Sequence, residues 1–280
     1  MAVVKEKYQI VASIVLFNHS YEQVAATLTS LLAERCVDKI VLVNNGGADW
    51  ATSLCNDRIC YINSGWNGGF GHGHNLAMKD YLDQCDYFLI CNPDVSFEAG
   101  SLARLYRFAS EGGHQFVSPR IHYSDGRFQY SCRLLPTPAN LLLRRFLPRL
   151  GAKMDVSYEL HMADYKATFS VPTVSGCFML IASPILKRLE GFDERYFMYM
   201  EDVDLCRRAL AHTEIVYFSG ATITHVFGKG SYGNIALLGH HLRSAVTYFN
   251  KWGWLFDRKR LVINQSCLKN IPMTSPVGRL

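Results

Sequence analysis

The sequence predicts an α/β fold with a parallel sheet. Strand-like apolar segments alternate with helical patterns through the first half of the chain, which is typical of parallel strands joined by helices. The chain has 280 residues and is 49% hydrophobic, so it can bury one large core or two closely joined subdomains. One uninterrupted apolar run, Tyr87–Cys91, is typical of a strand buried on both faces.

The elements follow from these patterns in chain order. The predicted strands are Ile10–Phe17, Lys39–Val43, Ile59–Asn63, Tyr87–Asn92, Gln115–Ser118, Cys177–Ala182, Ile215–Phe218 and Thr222–Val226. The predicted helices are Tyr21–Glu34, Gly71–Gln84, Ala99–Glu111, Glu201–Leu210 and Ile235–Lys251. Between Pro136 and Asp155 the composition shifts to Leu, Arg and Pro and the alternation stops. This segment is predicted to be a linker or an insertion.

Acidic residues crowd the start of one predicted helix, where Glu201, Asp202 and Asp204 lie within its first turn. A carboxylate held at a helix start can accept a proton from a hydroxyl group, so one of these acids is a candidate catalytic base. The alternative is that the acids complement the helix dipole and serve stability alone.

Two further segments indicate a ligand-binding edge of the sheet. Asn92-Pro93-Asp94 follows the buried run, which places Asp94 at the carboxyl end of a strand, where open α/β sheets bind their ligands. The segment Asn63–Asn75 carries enough glycine to bring the backbone close to a ligand, and it leads into a helix. Its spacing is neither that of a P-loop nor that of the dinucleotide-binding fingerprint.

Taken in order, these segments resemble the inverting family 2 glycosyltransferases, which have a GT-A fold, and especially their bacterial rhamnosyltransferase branch. The matching stretches are Ile10–Phe17, Asn67–Gly71, Asn92–Asp94, Ser175–Leu180, Gly191–Glu194, Tyr196–Arg207, His225 and Gly228. They cover roughly residues 8 to 232. The implied fold is a Rossmann-like nucleotide-binding sheet flanked by helices, with a smaller acceptor-side portion.

The resemblance divides the chain into three expected portions. Residues 1–135 would form the α/β portion that binds the nucleotide sugar. Residues 136–232 would form the acceptor-side and catalytic portion of the same GT-A domain, and residues 233–280 a helical extension.

The catalytic roles are also implied by the resemblance. In an inverting transfer an acceptor hydroxyl attacks the anomeric carbon in a single displacement, and one carboxylate takes its proton. By the paired-acid motif of the family, Asp202 is the base, and Glu201 orients the acceptor or supports Asp202. Asp204 and Arg207 are expected to brace the helix.

The donor site is expected at Asn18, Asn44 and Asn45 beyond the strand ends, together with Asn67, Gly68, Gly69, Phe70, Asn75, Asn92 and Lys229. At the position of Asn44 the family commonly has an aspartate that accepts a hydrogen bond from the pyrimidine ring NH. An amide oxygen can accept the same bond. The alternative is that Asn44 and Asn45 only shape a turn.

A divalent cation, Mg²⁺ or Mn²⁺, is expected to bridge the diphosphate of the donor, with Asp94 and, by the resemblance, His225 as its ligands. The usual family motif has two aspartates, whereas the first position here is Asn92. Whether Asn92 weakens or removes the dependence on metal stays open. Lys229 and the neighbouring backbone NH groups could hold phosphate.

Charge and cysteine content exclude some classes of protein. The formal net charge of +5 is spread over Lys and Arg through much of the chain, so it does not predict nucleic-acid binding. It suits an anionic nucleotide or an anionic membrane surface, and an ordinary solvated surface would explain it as well. The nine cysteines lack a Cys-x-x-Cys pair or a paired Cys/His zinc spacing, and reduced, packed thiols are expected. The apolar run after Lys5 and Lys7 is too short to span a bilayer, so a cytoplasmic protein is expected.

The predicted function is transfer of L-rhamnose from dTDP-L-rhamnose to a lipid-linked glycan acceptor in bacterial surface polysaccharide synthesis, such as that of O-antigen. Residues 141–150 and 251–260 mix apolar and cationic side chains, which favours peripheral contact with the inner face of the plasma membrane. Packed amphipathic helices or a dimer contact would explain the same pattern.

Three alternatives stay open. The first is a transferase of the same fold that uses another hexose nucleotide, such as UDP-galactose or UDP-GlcNAc. The second is a sugar-phosphate nucleotidyltransferase, although Ile14–Asn18 does not supply the glycine- and arginine-rich phosphate loop of that class. The third is a non-catalytic carbohydrate-binding protein, suggested by Asn92.

Overall fold

One mixed sheet of nine strands forms the centre of the computed structural model, which describes residues 8–141, 155–226 and 235–274. The strands are β1 (Tyr8–Leu16), β2 (Val37–Asn44), β3 (Ile59–Asn63), β4 (Cys85–Cys91), β5 (Val95–Ser96), β6 (Phe116–Tyr123), β7 (Cys132–Arg133), β8 (Phe169–Ser170), β9 (Thr173–Val174), β10 (Phe178–Ala182) and β11 (Val216–His225). The order across the sheet is β3-β2-β1-β4-β10-β6-β11-β5, with β8 also paired to β11. The short strands β7 and β9 pair with each other outside this sheet.

Helices cover the sheet and extend beyond it. They are α1 (Tyr21–Leu32), α2 (Phe70–Tyr81), α3 (Ser101–Gly112), α4 (Ser183–Leu189), α5 (Glu201–Ala209), α6 (Ile235–Trp252) and α7 (Arg258–Asn270), with 3₁₀ turns at Asp49–Leu54 and Leu82–Gln84. Among the described residues, none of these helices combines the length and the apolar character needed to cross a membrane. The nine cysteines are free thiols, as expected.

The parallel half of the sheet contains the predicted ligand-binding edge. Strand β1 lies between β2 and β4, and both pairs are parallel. Leu16 pairs with Asn44, and Ile14 pairs with Cys91, so the carboxyl ends of all three strands meet at one edge. The sequence predicted this arrangement, because parallel strands end on the same side of a sheet.

The other half of the sheet differs from the parallel arrangement predicted. Strand β10 inserts between β4 and β6 and is antiparallel to both. Its residues Phe178–Ile181 are completely buried, because side chains from both faces of the sheet cover this strand. The two strands predicted for residues 215–226 are a single strand, β11, with an irregular register between Phe218 and Thr222. Such an irregularity bends a strand without ending it.

The core has two layers, one on each face of the sheet. Phe88, Ile90 and Met179 contribute to one layer, while Leu89 and Phe178 contribute to the other, as the twofold alternation of strands requires. A third, smaller cluster joins the segment before α5 to helix α6 and includes Tyr196, Met200, Val203, Tyr248 and Phe249. The C-terminal helices are therefore packed against the part of the chain that carries the predicted catalytic acids.

Several elements were absent from the sequence prediction, namely α4, α7 and the short strands β5, β7, β8 and β9. The single sheet takes strands from residues 1–135 and from residues 136–232, and the division into portions stays a prediction. Residues 142–150 of the first apolar and cationic segment, and the predicted phosphate contact Lys229, lie outside the described residues.

Candidate active site

Asp202 lies at the start of α5, and two backbone N–H groups hold its carboxylate in place. Asp202 Oδ2 accepts a hydrogen bond from Gly176 N at 3.0 Å, and Oδ1 accepts one from Val203 N at 2.8 Å. The next residue after Gly176 is Cys177, whose carbonyl oxygen accepts from Asn92 N at 2.9 Å. The structure therefore brings Asp202 and the Asn92-Pro93-Asp94 segment to the same edge of the sheet, although the sequence separates them by about a hundred residues.

Glu201 lies beside Asp202 in a different environment. Its side chain is buried, and its Oε2 atom has no hydrogen-bond partner among the described residues. Burial raises the pKa of Glu201 well above its usual value, and the negative charge of Asp202 raises it further. Burial and the neighbouring acid therefore both disfavour ionisation of Glu201, which makes it a poorer candidate for the base than Asp202.

The backbone just before these acids is strained. Tyr199 and Met200 both have a φ of 67°, a left-handed conformation that costs a residue other than glycine about 1–3 kcal/mol. Packing holds it in place, because Met200 is buried against α6 and Ser244 Oγ donates to the carbonyl oxygen of Met198 at 2.8 Å. Strain of this kind is common where a backbone must aim a catalytic group.

Asp204 and Arg207 attach α5 to the C-terminal helices. Asp204 is completely buried and pairs with Lys251 Nζ at 2.8 Å and with Trp252 Nε1 at 2.8 Å, both at the end of α6. Arg207 pairs with Asp257 at 2.6 Å, directly before α7, and stacks on the ring of Trp252 at 4.3 Å. These contacts agree with the bracing role expected from the sequence.

The expected metal ligands are neighbours. His225 Nε2 lies 3.3 Å from Asp94 Oδ1 and 3.3 Å from Asn92 Nδ2. The other ring nitrogen, Nδ1, lies 3.3 Å from Gln129 Oε1, which fixes the orientation of the ring. Burial lowers the pKa of His225, but the neighbouring Cys177 and Asp94 raise it more, to about 10.

A divalent cation that displaces the ring proton of His225 would fit this pair of residues, because a metal binds the neutral imidazole. Asp94 Oδ1 is buried without a hydrogen bond of good geometry, and an oxygen together with an imidazole nitrogen suits Mg²⁺ or Mn²⁺. Within the described residues, however, no group of three or more His, Cys, Asp or Glu side chains is close enough to enclose a metal ion. Phosphate and water oxygens would have to complete the coordination, as Mg²⁺ tolerates.

Asn44 shapes the turn after β2. Its Oδ1 atom accepts hydrogen bonds from Gly46 N at 2.8 Å and from Ala48 N at 3.2 Å. Its Nδ2 atom donates to Asp49 Oδ1 at 2.8 Å and to Tyr61 Oη at 3.0 Å. These contacts are those of the alternative interpretation of Asn44. Asp49, which accepts the hydrogen bond from Asn44, is exposed, so a carboxylate lies at the surface near the end of β2.

Asn45 and Asn18 occupy the neighbouring positions at the edge. Asn45 is buried and donates from Nδ2 to the carbonyl oxygen of Gly69 at 2.9 Å, which ties β2 to the glycine-rich loop. Asn18 has a φ of 55°, its N–H donates to the carbonyl oxygen of Gly46 at 2.8 Å, and the residue is exposed. Of the three asparagines, Asn18 is thus the exposed one.

The glycine-rich loop packs directly on the segment that precedes α5. Gly69 has a φ of 93°, and a Cβ atom there would lie 2.0 Å from the carbonyl oxygen of Phe197. That oxygen accepts from Phe70 N at 3.0 Å. Asn75 continues the contact, because its Oδ1 accepts from Phe192 N at 2.8 Å and its Nδ2 donates to Glu194 Oε1 at 2.8 Å. The glycines and Asn75 thus join the glycine-rich loop to the segment that precedes α5.

Comparison with models of protein families identifies the family of this chain. The model for glycosyl transferase family 2 matches residues 12–183. The chain belongs to this family. The recognition and the enzyme class predicted from the sequence are therefore confirmed at the level of a family 2 glycosyltransferase.

Curated relatives of this family 2 glycosyltransferase include three sugar transferases. The low-salt glycan biosynthesis hexosyltransferase Agl10 of Haloferax volcanii is 28% identical over 202 residues, which span 70% of this chain and 61% of Agl10. The rhamnosyltransferase WbbL of Escherichia coli is 25% identical over 270 residues, 90% of this chain and 95% of WbbL. An N-acetylglucosaminyl-diphospho-decaprenol L-rhamnosyltransferase of Mycobacterium tuberculosis is 29% identical over 214 residues, 70% of this chain and 68% of that protein.

Solved structures confirm the GT-A fold. The complex of GalNAc-T7 with UDP, GalNAc and Mn²⁺ has a TM-score of 0.63 at 12% identity, covering 89% of this chain and 48% of that one. The complex of S. aureus TarS 1-349 with UDP has a TM-score of 0.58 at 15% identity, covering 93% of this chain and 70% of that one. At these identities the similarity concerns the fold alone.

Sequence reasoning missed three residues of this family 2 glycosyltransferase. Gly176 positions Asp202, Gln129 orients His225, and Asp49 receives the amide of Asn44. Gly176 belongs to the matching stretch Ser175–Leu180, which was the available signal, whereas Gln129 and Asp49 carried none. The roles expected of Asn67, Gly68, Phe70 and Asn92 in donor binding stay predictions.

Proposed function

We propose that this enzyme is an inverting rhamnosyltransferase that transfers L-rhamnose from dTDP-L-rhamnose to a lipid-linked glycan acceptor at the inner face of the plasma membrane, in synthesis of a bacterial surface polysaccharide such as O-antigen. The observation that carries the proposal is the fixed Asp202 carboxylate beside the Asn92-Pro93-Asp94 segment. The names of WbbL and of the mycobacterial relative support rhamnose as the sugar.

The chemistry follows from the two acids. An acceptor hydroxyl attacks the anomeric carbon of the donor sugar, the bond to the diphosphate breaks, and its electron pair leaves with the nucleotide. Asp202 takes the proton of the hydroxyl as a general base. Glu201 orients the acceptor or supports Asp202, and its burial beside Asp202 raises its pKa, which favours its protonated form.

The leaving group needs charge stabilisation rather than a proton. A Mg²⁺ or Mn²⁺ ion held by Asp94 and His225 would offset the negative charge that develops on the departing diphosphate. Asn92 lies beside both ligands and leaves Asp94 as the carboxylate of this trio. The Mn²⁺ in the GalNAc-T7 complex supports a divalent cation in this fold.

A second donor class has specific support. Two proteins of the same fold were solved with UDP, and Agl10 is named a hexosyltransferase, so UDP-galactose or UDP-GlcNAc is the alternative donor. The side-chain Oδ1 atom of Asn44 already accepts hydrogen bonds from two backbone N–H groups and is largely occupied. Asn44 therefore supplies no strong argument for either base.

A donor panel tests the proposal. Purified enzyme is incubated with dTDP-L-rhamnose, UDP-galactose or UDP-GlcNAc, a divalent cation, and a polyprenyl diphosphate that carries N-acetylglucosamine. We expect release of dTDP and a rhamnosylated lipid, with neither product from the Asp202→Asn variant. Thermal unfolding gives a separate reading of donor binding, because a ligand at 100 times its Kd stabilises the folded state by ~2.7 kcal/mol.

Other products of the same assay would decide against the proposal. Release of UDP and transfer from a UDP donor alone would replace dTDP-L-rhamnose as the donor. Release of pyrophosphate would indicate a nucleotidyltransferase. Donor binding without any transfer, in the presence of both the metal and the acceptor, would indicate a carbohydrate-binding protein.

A further inference from the structure

The turn between α6 and α7 presents an unusual group of apolar side chains to solvent. The exposed fractions are 42% for Trp254, 75% for Leu255 and 97% for Phe256, and we refer to these residues as the tip. Helix α7 continues the surface with Leu261 at 54% and Val262 at 66%. Single exposed apolar residues are ordinary, but a contiguous exposed group marks a surface that binds something.

The backbone of the tip is held in place while Leu255 and Phe256 are exposed, and the half-exposed ring of Trp254 packs against Phe249. The buried guanidinium of Arg260 donates to the carbonyl oxygen of Trp254 at 3.2 Å. Asp257 caps α7 by accepting from Arg260 N at 3.0 Å and pairs with Arg207. Gly253, with a φ of 102°, allows the sharp turn after α6. The exposure of Leu255 and Phe256 is therefore built into the fold.

The net charge of the chain is concentrated in this same region. Residues 235–274 hold six Lys and Arg residues and one acidic residue, a net charge of +5 that equals the formal net charge of the whole chain. The rest of the chain is balanced, which refines the even distribution described from the sequence. The acidic residue, Asp257, is buried and paired, so the exposed part of this region carries cations without acids.

Cations without ion pairs surround the apolar residues. Lys251 and Arg260 are bonded within the protein, whereas Arg258 and Lys259 are exposed and make no side-chain contact with charged or polar groups among the described residues. Both line a groove of about 700 Å³ together with Val262, and Arg188 of α4 and the exposed Glu190 that follows α4 also line it, so the cations of this groove outnumber its one acid. On α7 Arg258 precedes Val262 by one helical turn, so cation and apolar residue share a face.

We propose that the tip and the first turns of α7 form a docking surface for an anionic lipid bilayer. Trp254, Leu255 and Phe256 enter the interfacial region of the bilayer, and Arg258 and Lys259 bind lipid phosphates. Aromatic and aliphatic residues next to Lys and Arg are the combination that binds such surfaces. The purpose of this docking surface is to bring the enzyme to a lipid-linked acceptor, and in that respect the proposal rests on the proposed function.

A second copy of the chain suits this surface poorly. A symmetric pair formed through the tip would bring Arg258 and Lys259 of one copy close to the same cations of the other. Because Asp257 is buried, the described C-terminal helices offer no exposed carboxylate to oppose them. A surface of anionic headgroups provides the missing negative charge.

The test is co-sedimentation with vesicles, without donor or acceptor, so that its result does not depend on the proposed function. We expect binding to vesicles of equal parts phosphatidylcholine and phosphatidylglycerol, and little binding to phosphatidylcholine alone. High salt should weaken binding, because the Debye length falls from ~10 Å at 0.1 M to ~3 Å at 1 M. The paired change Leu255→Ser and Phe256→Ser should weaken it at least ~10-fold, as should Arg258→Glu with Lys259→Glu.

Matched controls separate the surface from general effects. Leu32→Ser with Val156→Ser removes exposed apolar residues elsewhere, and Lys79→Glu with Arg107→Glu makes the same charge change elsewhere. Both controls should bind vesicles as the wild type does. Nucleotide release with a water-soluble acceptor should be unchanged in the tip variant, which separates this proposal from the assignment of the active site.

Three outcomes would overturn the proposal. The wild type could fail to bind either kind of vesicle, or the tip variant could bind as well as the controls. Sedimentation velocity could instead show a dimer that Leu255→Ser with Phe256→Ser converts to a monomer, in which case the surface is a contact between copies of this chain.

Discussion

Asp202 Oδ2 lies 3.0 Å from the backbone nitrogen of Gly176 and accepts its hydrogen bond. A larger residue would push Asp202 aside, because a Cβ atom at position 176 would lie 3.0 Å from Asp202 Cβ and 3.3 Å from Oδ2. It also connects two distant parts of the chain, since the residue after Gly176 binds Asn92. The orientation of the proposed base thus depends on a glycine next to the strand that enters the sheet antiparallel.

The Asp202→Asn variant tests the base directly. An amide cannot take the proton of the acceptor hydroxyl, so we expect turnover to fall at least ~10²-fold while donor binding is retained. Initial rates and the donor-induced shift in thermal unfolding measure the two quantities separately. Asp125→Asn, which changes an exposed aspartate, is the control and should have wild-type turnover. Near-normal turnover of Asp202→Asn would remove Asp202 from its role.

Gly176→Ala should act through Asp202. The added methyl group displaces the carboxylate by a few tenths of an ångström, and we expect turnover to fall ~10-fold or more because catalysis depends steeply on position. Combined with Asp202→Asn, the change should have little further effect, because the group that it displaces is already inactive. Gly239→Ala, whose Cβ atom would meet nothing within 4 Å, is the control. Additive losses in the double variant would mean that Gly176 acts on something other than Asp202.

The sequence predicts the parallel half of this fold better than the rest. Strands β1 to β4 and helices α1 to α3 follow regular apolar periods, and such local patterns survive in any context. The antiparallel insertion of β10 depends on pairing with distant strands, which local periodicity does not encode. Helix α7 has the reverse of the usual pattern, because Arg260 is buried while Leu261 and Val262 are exposed.

The candidate site shows the same division. Asp94 and Asp202 were predicted because their residue types and positions in motifs are distinctive, and their roles stay predictions. The turn-shaping role of Asn44 was one of two alternatives that the sequence left open, whereas the orientation of His225 by Gln129 is a tertiary contact for which the sequence contains no signal. A residue type can be recognised from a motif, but its hydrogen-bond partners come from the fold.

Glu201 should make stability depend on pH. Its pKa is raised in the folded state, so the folded protein binds this proton more tightly than the unfolded chain does. The contribution is fully present below the unfolded pKa of ~4.3 and is lost as the pH rises toward the folded pKa, by ~1.4 kcal/mol per pH unit. Glu201→Gln removes this titration. The free energy of unfolding of the variant minus that of the wild type should therefore increase by at least ~1 kcal/mol from pH ~5 to pH ~8.

Chemical denaturation at both pH values measures this difference, and other groups that titrate in the range cancel between the two proteins. Glu214→Gln, a change at an exposed glutamate, is the control and should give the same difference at both pH values. If the difference in free energy of unfolding between Glu201→Gln and the wild type were the same at both pH values, Glu201 would ionise normally in the folded protein.

Asp94 should determine how tightly a divalent cation binds. We expect chelation to abolish transfer and Mg²⁺ or Mn²⁺ to restore it, and Asp94→Asn to raise the required metal concentration at least ~10-fold, because it removes the anionic ligand. Electron paramagnetic resonance of Mn²⁺ with the nucleoside diphosphate measures binding without turnover. Asn92→Asp adds a second carboxylate beside His225 and should tighten binding. Unchanged Mn²⁺ affinity in both variants would place the metal elsewhere.

The buried ion pair between Arg207 and Asp257 should couple the C-terminal helices to the catalytic helix. Both side chains are almost completely buried, and their charged atoms are 2.6 Å apart. Asp257→Asn leaves the guanidinium of Arg207 without its counter-charge, so we expect a loss of ~3–5 kcal/mol in the free energy of unfolding. Asp125→Asn breaks the exposed pair with Arg127 and should leave the free energy of unfolding nearly unchanged, because solvent screens an exposed ion pair. The double change Arg207→Met with Asp257→Leu should recover much of the loss, because an apolar pair needs no compensation of charge. If Asp257→Asn were as mild as Asp125→Asn, the pair would not be what holds α5 against α7, and the position of Asp202 would have to depend on Asp204 and its contacts with α6.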